Sequence, residues 1–198
     1  MGTAMAVWSL AEHERPYTVD DLFELPPEWD DIRCEVVDGN LIVSPAPGTR
    51  HQVIGDRLCR LFDDALPIGV DVITAVAVRM PGGDGLIPDV VVTTGDFLEN
   101  ERGFRAEDVH TVVEVVSPSN AKYDRVTKRD LYAEVGIPCY WLVETDPVIV
   151  VRLGERTIMA PAGREHELPL ATGRGPADVI TVRLDPAALV TRRSARSG

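Results

Sequence analysis

The sequence predicts a single domain of the α/β (α+β) class, in which a mixed central β-sheet is flanked by α-helices. A strand, a helix and a second strand follow one another over residues 111–143, and such a crossover joins parallel strands. Hairpins elsewhere imply antiparallel pairs. The chain has 198 residues, of which 44% are hydrophobic and 26% are charged. These values fit one domain that buries a sizeable core.

The first part of the chain predicts two helices around a hairpin. Thr18 is a typical N-cap residue, and an apolar stripe follows it until the Pro26-Pro27 pair, which predicts a helix over 18–25. Asp38-Gly39 separates apolar runs at 33–37 and 40–43, a pattern typical of a β-hairpin. Apolar residues at helical spacing then predict a long helix over 49–65, which ends before Pro67.

The rest of the chain predicts strands around one further helix. Continuous apolar runs predict buried strands at 88–92 and 111–116, the first entered through Pro88. A helix is expected over 122–135, stopped by Gly136. The other segments are, in order, a strand at 70–78, a turn at 81–85, strands at 139–143, 148–153 and 157–160, a long loop at 161–177, a strand at 179–184 and a helix start at 185–187.

The two ends are expected to lie outside the folded unit. Residues 1–16 show little periodicity and are predicted to be flexible, 17–190 form the domain, and 191–198 form a basic flexible tail. No apolar run is long enough to cross a bilayer, and the first twenty residues do not resemble a signal peptide, so we expect a cytoplasmic protein without a membrane partner. The three cysteines are widely spaced, which favours buried thiols over disulfides or a zinc site.

The formal net charge of -12 opposes non-specific binding to polyanions, because each phosphate contact requires a Lys or Arg. Basic residues are nevertheless grouped in two places. One group lies in the predicted helix at 122–135 and contains Arg125, Lys128 and Arg129; the other is the tail at 191–198. A local basic surface therefore stays open as a possibility.

Two carboxylates stand where buried strands favour apolar side chains. Asp89 precedes Val90-Val91-Val92, and Glu114 lies between Val113 and Val115. A carboxylate in an apolar strand is costly unless it is paired or binds a metal. The alternatives are a buried ion pair, or a carboxylate at a strand end that points to solvent. Oxygen ligands on a rigid sheet suit Mg²⁺ or Mn²⁺, which predicts a metal site here.

A series of segments extends this pattern along residues 17–150. They are Glu35-Val36-Val37-Asp38-Gly39, Ser44-Pro45-Ala46-Pro47 with His51, Pro88-Asp89-Val90-Val91-Val92, Val113–Ser119, Tyr123-Asp124-Arg125 with Lys128, and Gly136–Val143. Together they resemble the Uma2 family of bacterial restriction-endonuclease-like proteins, within the PD-(D/E)XK nuclease superfamily. The resemblance implies a restriction-endonuclease-like core and Mg²⁺- or Mn²⁺-dependent hydrolysis of phosphodiester bonds in nucleic acid, with DNA the expected substrate. Homodimerisation is an expectation at the family level.

The resemblance also implies a role for individual residues. Asp89, Glu114 and the backbone carbonyl of Val115 would bind the metal, supported by Glu35. Val116 stands where the superfamily pattern has its lysine, two residues after the glutamate, and Lys128 from the following helix would replace that lysine.

Spacing and position leave alternatives for three of these residues. Asp124, Lys128 and Tyr132 lie on one helical face, which would turn Lys128 toward Glu114. The alternative is an exposed Asp124–Lys128 pair. Glu35 is either a third acidic residue of the site or an exposed strand residue. His51 lies in the first turn of a helix, where a neutral ring is favoured. It is either a catalytic or phosphate-contacting residue, or a satisfied surface or packing residue.

Two other functions are compatible with the sequence. One is a catalytically silent nuclease fold that serves as a binding or regulatory module, which the acidic charge and Val116 favour. The other is a small-molecule binding protein, which no specific feature of the sequence supports.

Overall fold

The computed structural model describes residues 6–8, 15–26, 29, 32–117, 121–153 and 157–192. These ranges form two six-stranded sheets and one two-stranded ribbon, packed with helices. The strands are β1 (Ala6–Trp8), β2 (Arg33–Val37), β3 (Asn40–Ser44), β4 (Asp71–Thr74), β5 (Val78–Arg79), β6 (Gly85–Leu86), β7 (Val90–Thr93), β8 (Phe104–Arg105), β9 (Val109–Val115), β10 (Cys139–Thr145), β11 (Val148–Leu153), β12 (Ile158–Pro161), β13 (His166–Ala171) and β14 (Val179–Leu184).

The helices include α1 (Thr49–Asp63) and α2 (Arg129–Glu134), and a π-helical segment, Tyr123–Lys128, leads directly into α2. Single 3₁₀ turns lie at Val19–Phe23, Pro81–Gly83, Ala106–Asp108 and Pro186–Leu189. Within the described ranges, no helix is long and apolar enough to span a bilayer.

The central sheet has the strand order β12-β11-β10-β9-β7-β4. β9 and β10 run parallel, with Glu114 opposite Leu142, whereas the other neighbouring strands are antiparallel. The predicted mixed sheet is confirmed, and its parallel pair is the one that the crossover helix implies. The second sheet, in the order β1-β3-β2-β6-β5-β8, contains the predicted hairpin, β2 and β3.

Both faces of the central sheet are covered, which explains why its strands read as continuous apolar runs. On one face, Ile54, Leu58 and Phe62 of α1 pack against the sheet, and Phe62 meets Trp141 edge-on with ring centroids 5.1 Å apart. The ribbon of β13 and β14 covers the same face. On the opposite face, Val112 and Leu142 pack against the second sheet and against Tyr132 of α2. The same face of β9 carries Glu114.

Two predicted segments differ from the structure. The strand predicted at 70–78 is divided at Ala75, whose φ of 51° interrupts the extended backbone, and its halves join different sheets. The loop predicted at 161–177 contains β13, in which buried Leu168 and Leu170 alternate with polar or partly exposed residues. The strand is not predicted from the sequence because Pro169 lies between these two leucines, and a proline inside an apolar run argues against a strand.

Three further elements are corrected by the structure. Residues 6–8, which the sequence predicts to be flexible, form a strand that pairs with β3. The helix predicted at 18–25 is a shorter 3₁₀ turn. The helix predicted at 122–135 is π-helical in its first half. Residues 1–5 and 9–14 of the predicted flexible N-terminus and residues 193–198 of the predicted tail lie outside the described residues, as do Pro118 and Ser119 among the quoted segments.

Gly103 allows the backbone before β8 to approach the backbone before β5, because a Cβ at this position would lie 2.4 Å from the backbone oxygen of Ala77. That oxygen accepts the hydrogen bond from Phe104 N–H at 2.9 Å, next to the pairing of β5 with β8. The φ of Gly103 is 98°. Gly69 has a similar φ of 86°, but a Cβ there would meet nothing within 4 Å.

We therefore predict that Gly69→Ala and Gly103→Ala destabilise the fold unequally. Gly69→Ala should cost about 1–2 kcal/mol from its positive φ alone. Gly103→Ala should cost roughly 1–3 kcal/mol more, because its Cβ overpacks against backbone. Urea unfolding of both variants measures the difference, and equal losses would contradict the proposed close approach.

Candidate active site

Asp89 lies beside Glu114 and is held there by backbone groups. It immediately precedes β7, and its N–H donates to the carbonyl of Val113 at 3.0 Å. Its Oδ2 accepts from the N–H of Val115 at 2.7 Å. The two bonds flank Glu114 on β9, so the expected proximity of the two acidic residues is confirmed. The strand predicted at 88–92 begins at Val90, which places Asp89 at its entrance.

Glu114 is 2% exposed and is held by two donors from the helix opposite. Its Oε1 accepts from Lys128 Nζ at 2.8 Å and from Tyr132 O–H at 2.8 Å. The contact between Lys128 and Glu114 that the helical spacing predicts is therefore present. Asp124 is also buried, with its Oδ1 4.0 Å from Lys128 Nζ, so the alternative of an exposed Asp124–Lys128 pair is wrong.

The π-helical segment brings these side chains to one face. A π turn adds a residue relative to the α-helix and is found frequently at functional sites. Asp124 is the second residue of the segment and Lys128 is its last, and Tyr132 follows one α-helical turn later. All three are buried. The irregular turn thus presents one polar face to the sheet.

Glu35 joins the second sheet to this group. Its side chain projects from β2, and its Oε1 accepts from Lys128 Nζ and from the N–H of Ile87, both at 2.8 Å. Glu35 is 2% exposed, so the alternative of an exposed strand residue is wrong. The ammonium of Lys128 therefore bridges Glu35 of one sheet and Glu114 of the other.

Asp89 is itself paired with two cationic or proton-donating side chains. Arg33 Nη1 lies 2.6 Å from Asp89 Oδ1, and His51 Nε2 lies 3.1 Å from Asp89 Oδ2. From the sequence, His51 is a candidate site residue, whereas no sequence pattern above identifies Arg33. One feature could have revealed it, since Arg33 and Glu35 are two residues apart on β2 and so share a face of the sheet.

We call this group of side chains the carboxylate cluster; its members are Arg33, Glu35, His51, Asp89, Glu114, Asp124, Lys128 and Tyr132. It contains only two permanent cations, Arg33 and Lys128, for four buried carboxyl groups, which are those of Glu35, Asp89, Glu114 and Asp124. The buried ion pair that the sequence left open as an alternative is thus present for Asp89 and for Glu114. The solvent-facing alternative is wrong. The pairs nevertheless leave negative charge in excess.

The pKa values in the carboxylate cluster reflect that excess. Burial raises the pKa of Glu114 to about 8, against the opposing charge of Lys128. Burial also raises the pKa of Asp124 to about 6, again opposed by Lys128. Burial acts in the same direction on Asp89, but Arg33, His51 and the Val115 N–H outweigh it and hold its pKa below the usual range. The proton that relieves the excess negative charge near neutral pH is therefore carried mainly by Glu114, and at lower pH by Asp124 as well.

An open cleft of about 710 Å³ reaches part of the carboxylate cluster. Arg33, His51 and Asp89 line it, together with residues from the N-terminal half of α1. Glu35, Glu114 and Lys128 lie deeper and are only 2–3% exposed. A ligand in the cleft would meet Asp89, Arg33 and His51 first.

The donor chemistry of the carboxylate cluster fits a hard divalent cation. Carboxylate oxygens are the ligands that Mg²⁺ and Mn²⁺ prefer, and Mg²⁺ typically uses only one or two of them from the protein. A divalent cation would also offset the excess negative charge. In the part of the chain that the structure describes, no group of three or more His, Cys, Asp or Glu side chains is arranged to hold a metal. Both oxygens of Asp89 are engaged by protein donors.

Comparisons with known proteins agree on the type of fold. Residues 19–175 match the model of the Uma2 family, which is described as "Putative restriction endonuclease". A crystal structure from Anabaena variabilis ATCC 29413, described as a "putative nuclease belonging to DUF820", superimposes with a TM-score of 0.62. It is 19% identical, and the match covers 88% of this chain and 98% of that chain. No curated protein matches.

Removing Lys128 should be far more damaging than removing its exposed neighbour. Lys128→Met leaves Glu35 and Glu114 buried without their shared cation, and breaking a buried pair costs about 3–5 kcal/mol. Arg129→Met removes a pair with Asp130 whose side chains are 47% and 62% exposed, and should cost about 0–1 kcal/mol. Urea unfolding compares the two, and similar losses would show that the bridge contributes little to stability.

The raised pKa of Glu114 predicts how the stability of the metal-free protein depends on pH. A group whose pKa is raised on folding binds more protons in the folded state, so its contribution is lost as pH rises from about 5 to about 8. In EDTA, the wild-type free energy of unfolding should fall across this range more steeply than that of Glu114→Gln. Urea midpoints at several pH values measure both slopes, and parallel slopes would refute the assignment.

Proposed function

The chain belongs to the Uma2 family, and from this membership and the carboxylate cluster we propose that it is a metal-dependent endonuclease that hydrolyses phosphodiester bonds of nucleic acid, with DNA as its substrate. The family description supports nuclease activity. The solved neighbour, with a nuclease description of its own, supports a fold of this kind.

The observation that carries the proposal is a set of four buried carboxyl groups with two permanent cations among them, in which the carboxyl group of Asp89 lines an open cleft. Burying carboxylates is costly, and a protein that requires stability alone does better with apolar side chains at such positions. An excess of acidic oxygen at the end of a cleft is typical of a site that binds a cation.

Asp89 and Glu114, with the carbonyl of Val115 and support from Glu35, would hold Mg²⁺ or Mn²⁺. When bound, the cation supplies Lewis acidity and neutralises charge that develops on the phosphoryl oxygens. These ligands come from β9, from the entrance to β7 and from β2, so the sheets fix their positions. Rigid elements of this kind hold a site more accurately than loops do.

The remaining side chains of the carboxylate cluster have distinct roles in this proposal. Lys128 is a positioning residue, because its side chain is 3% exposed and its ammonium already donates to Glu35 and Glu114. His51 lies at the cleft wall, with its Nε2 3.1 Å from Asp89 Oδ2. Arg33 and His51 together supply the donors that a phosphodiester in the cleft would meet.

A specific observation also favours a second candidate, a catalytically silent nuclease fold that acts as a binding or regulatory module. Asp89 is engaged by Arg33, His51 and the Val115 N–H, a fully paired arrangement that is stable without a metal. The net charge of -12 adds to this argument, since it opposes contact with a polyanion.

Asp89→Asn distinguishes the two candidates. In Mg²⁺ or Mn²⁺ the wild type should nick or cut plasmid DNA, and Asp89→Asn should lower the rate by at least about 100-fold, the loss typical of removing one preorganised electrostatic group. Asp56→Asn is the matched control, because Asp56 lines the same cleft but pairs with the exposed Arg60. It should cut at the wild-type rate.

Two results would count against the nuclease. An Asp89→Asn variant that cuts as fast as the wild type would reject the site. A folded wild type that cuts neither double-stranded nor single-stranded DNA, with either metal, would favour the silent module.

A further inference from the structure

Arg33 is paired with Asp89, the carboxylate that the proposed cation requires. Its Nη1 lies 2.6 Å from Asp89 Oδ1, the shortest of the contacts to that side chain. The other oxygen, Oδ2, accepts from the Val115 N–H and from His51 Nε2. A divalent cation bound through Oδ1 would therefore share that oxygen with the guanidinium or replace it.

The three groups that donate to Asp89 differ in how firmly the fold holds them in place. The N–H of Val115 belongs to β9 in the middle of the central sheet, and its position is fixed by strand pairing. His51 is anchored in the first turn of α1. Arg33 is at the first residue of β2, and its long side chain is 16% exposed and lines the cleft. Arg33 can thus move into the cleft without any change in the sheet.

The Arg33 guanidinium and a divalent cation compete for Asp89 Oδ1 because both are positively charged. A guanidinium and a divalent cation on one carboxylate repel each other, and the repulsion is strong where solvent is scarce. A guanidinium that moves into the cleft stays close to the site and presents a flat pair of donors, which match a phosphate geometrically.

From this geometry we infer that Arg33 is an exchangeable counterion of Asp89. It neutralises the carboxylate while no divalent cation is bound, and it gives up Oδ1 when one binds, turning into the cleft where a phosphodiester would lie. Arg33 is a positioning residue in this sense, acting on the cation through Asp89. The inference rests on the proposed function, because it assumes that the carboxylate cluster binds a metal.

The test is a titration with MnCl₂ by isothermal calorimetry, without nucleic acid, on protein stripped with EDTA. Arg33→Gln removes the competing charge and should bind Mn²⁺ about tenfold more tightly than the wild type. Arg129→Gln is the matched control, because it removes the same charge from an exposed pair with Asp130. Its Mn²⁺ affinity should equal that of the wild type.

The outcomes separate this inference from the proposed function. Tighter binding in Arg33→Gln that disappears in the double variant Arg33→Gln with Asp89→Asn supports the exchange. Equal Mn²⁺ affinity in the wild type and Arg33→Gln overturns the exchange but leaves the metal site intact. An absence of Mn²⁺ binding in both proteins removes the metal dependence of the proposed function, and the exchange with it.

A second measurement uses the wild type alone and does not depend on the folding of a variant. Phenylglyoxal modifies accessible guanidinium groups, and mass spectrometry of peptides locates the modified arginines. Mn²⁺ should raise the rate at Arg33 several-fold, because the side chain leaves Asp89, and should leave the rate at Arg129 unchanged. An unchanged rate at Arg33 in a protein that binds Mn²⁺ overturns the exchange.

Discussion

The ammonium of Lys128, buried between Glu35 and Glu114, is the interaction on which the rest of the site depends. It joins three elements that are remote in sequence: β2 of the second sheet, β9 of the central sheet and the π-helical segment. Desolvating these charges is costly, and the cost is offset only while all three remain in contact. Burial lowers the pKa of Lys128, but Glu114 and Glu35 outweigh it and keep that pKa above its usual range, so the ammonium remains protonated at neutral pH. The relative position of the two sheets and the helix is thereby fixed.

This constraint determines what the cleft presents to a ligand. Lys128 secures the deeper carboxylates, and hydrogen bonds to the backbone on either side of Glu114 hold Asp89 at the end of the cleft. The carboxylate cluster is therefore divided into a closed interior, with Glu35 and Glu114, and an accessible edge, with Asp89, Arg33 and His51. Such a division suits a site in which fixed acidic groups bind a cation and mobile donors meet a substrate. It also reconciles the acidic net charge with the proposed polyanionic substrate, because the side chains of the cluster nearest to the cleft include the cationic Arg33.

Much of the site was predictable from the sequence because its chemistry conflicts with its surroundings. Asp89 and Glu114 are identifiable as charges among valines, and Lys128 follows from helical spacing even though its segment is π-helical. Arg33 was not predictable in this way, because a charged residue at the start of a hairpin strand is ordinarily exposed. The strand break at Ala75 depends on a positive φ that the sequence does not reveal. β13 was not predicted because it contains Pro169, which argues against a strand. The sequence thus predicts the central sheet and its acidic residues, whereas long-range packing determines the second sheet and the counterion.

We propose that the carboxylate cluster is a cation site in which Arg33 pairs with Asp89 while no metal is bound. A crystal structure grown with Mn²⁺ and measured at an anomalous wavelength tests it most directly. We expect an anomalous peak at about 2.0–2.2 Å from oxygens of Asp89 and Glu114, a distance suited to a small hard cation, with the Arg33 guanidinium displaced into the cleft. A structure at high Mn²⁺ with no anomalous peak between these carboxylates, and with Arg33 still on Asp89, would contradict the claim.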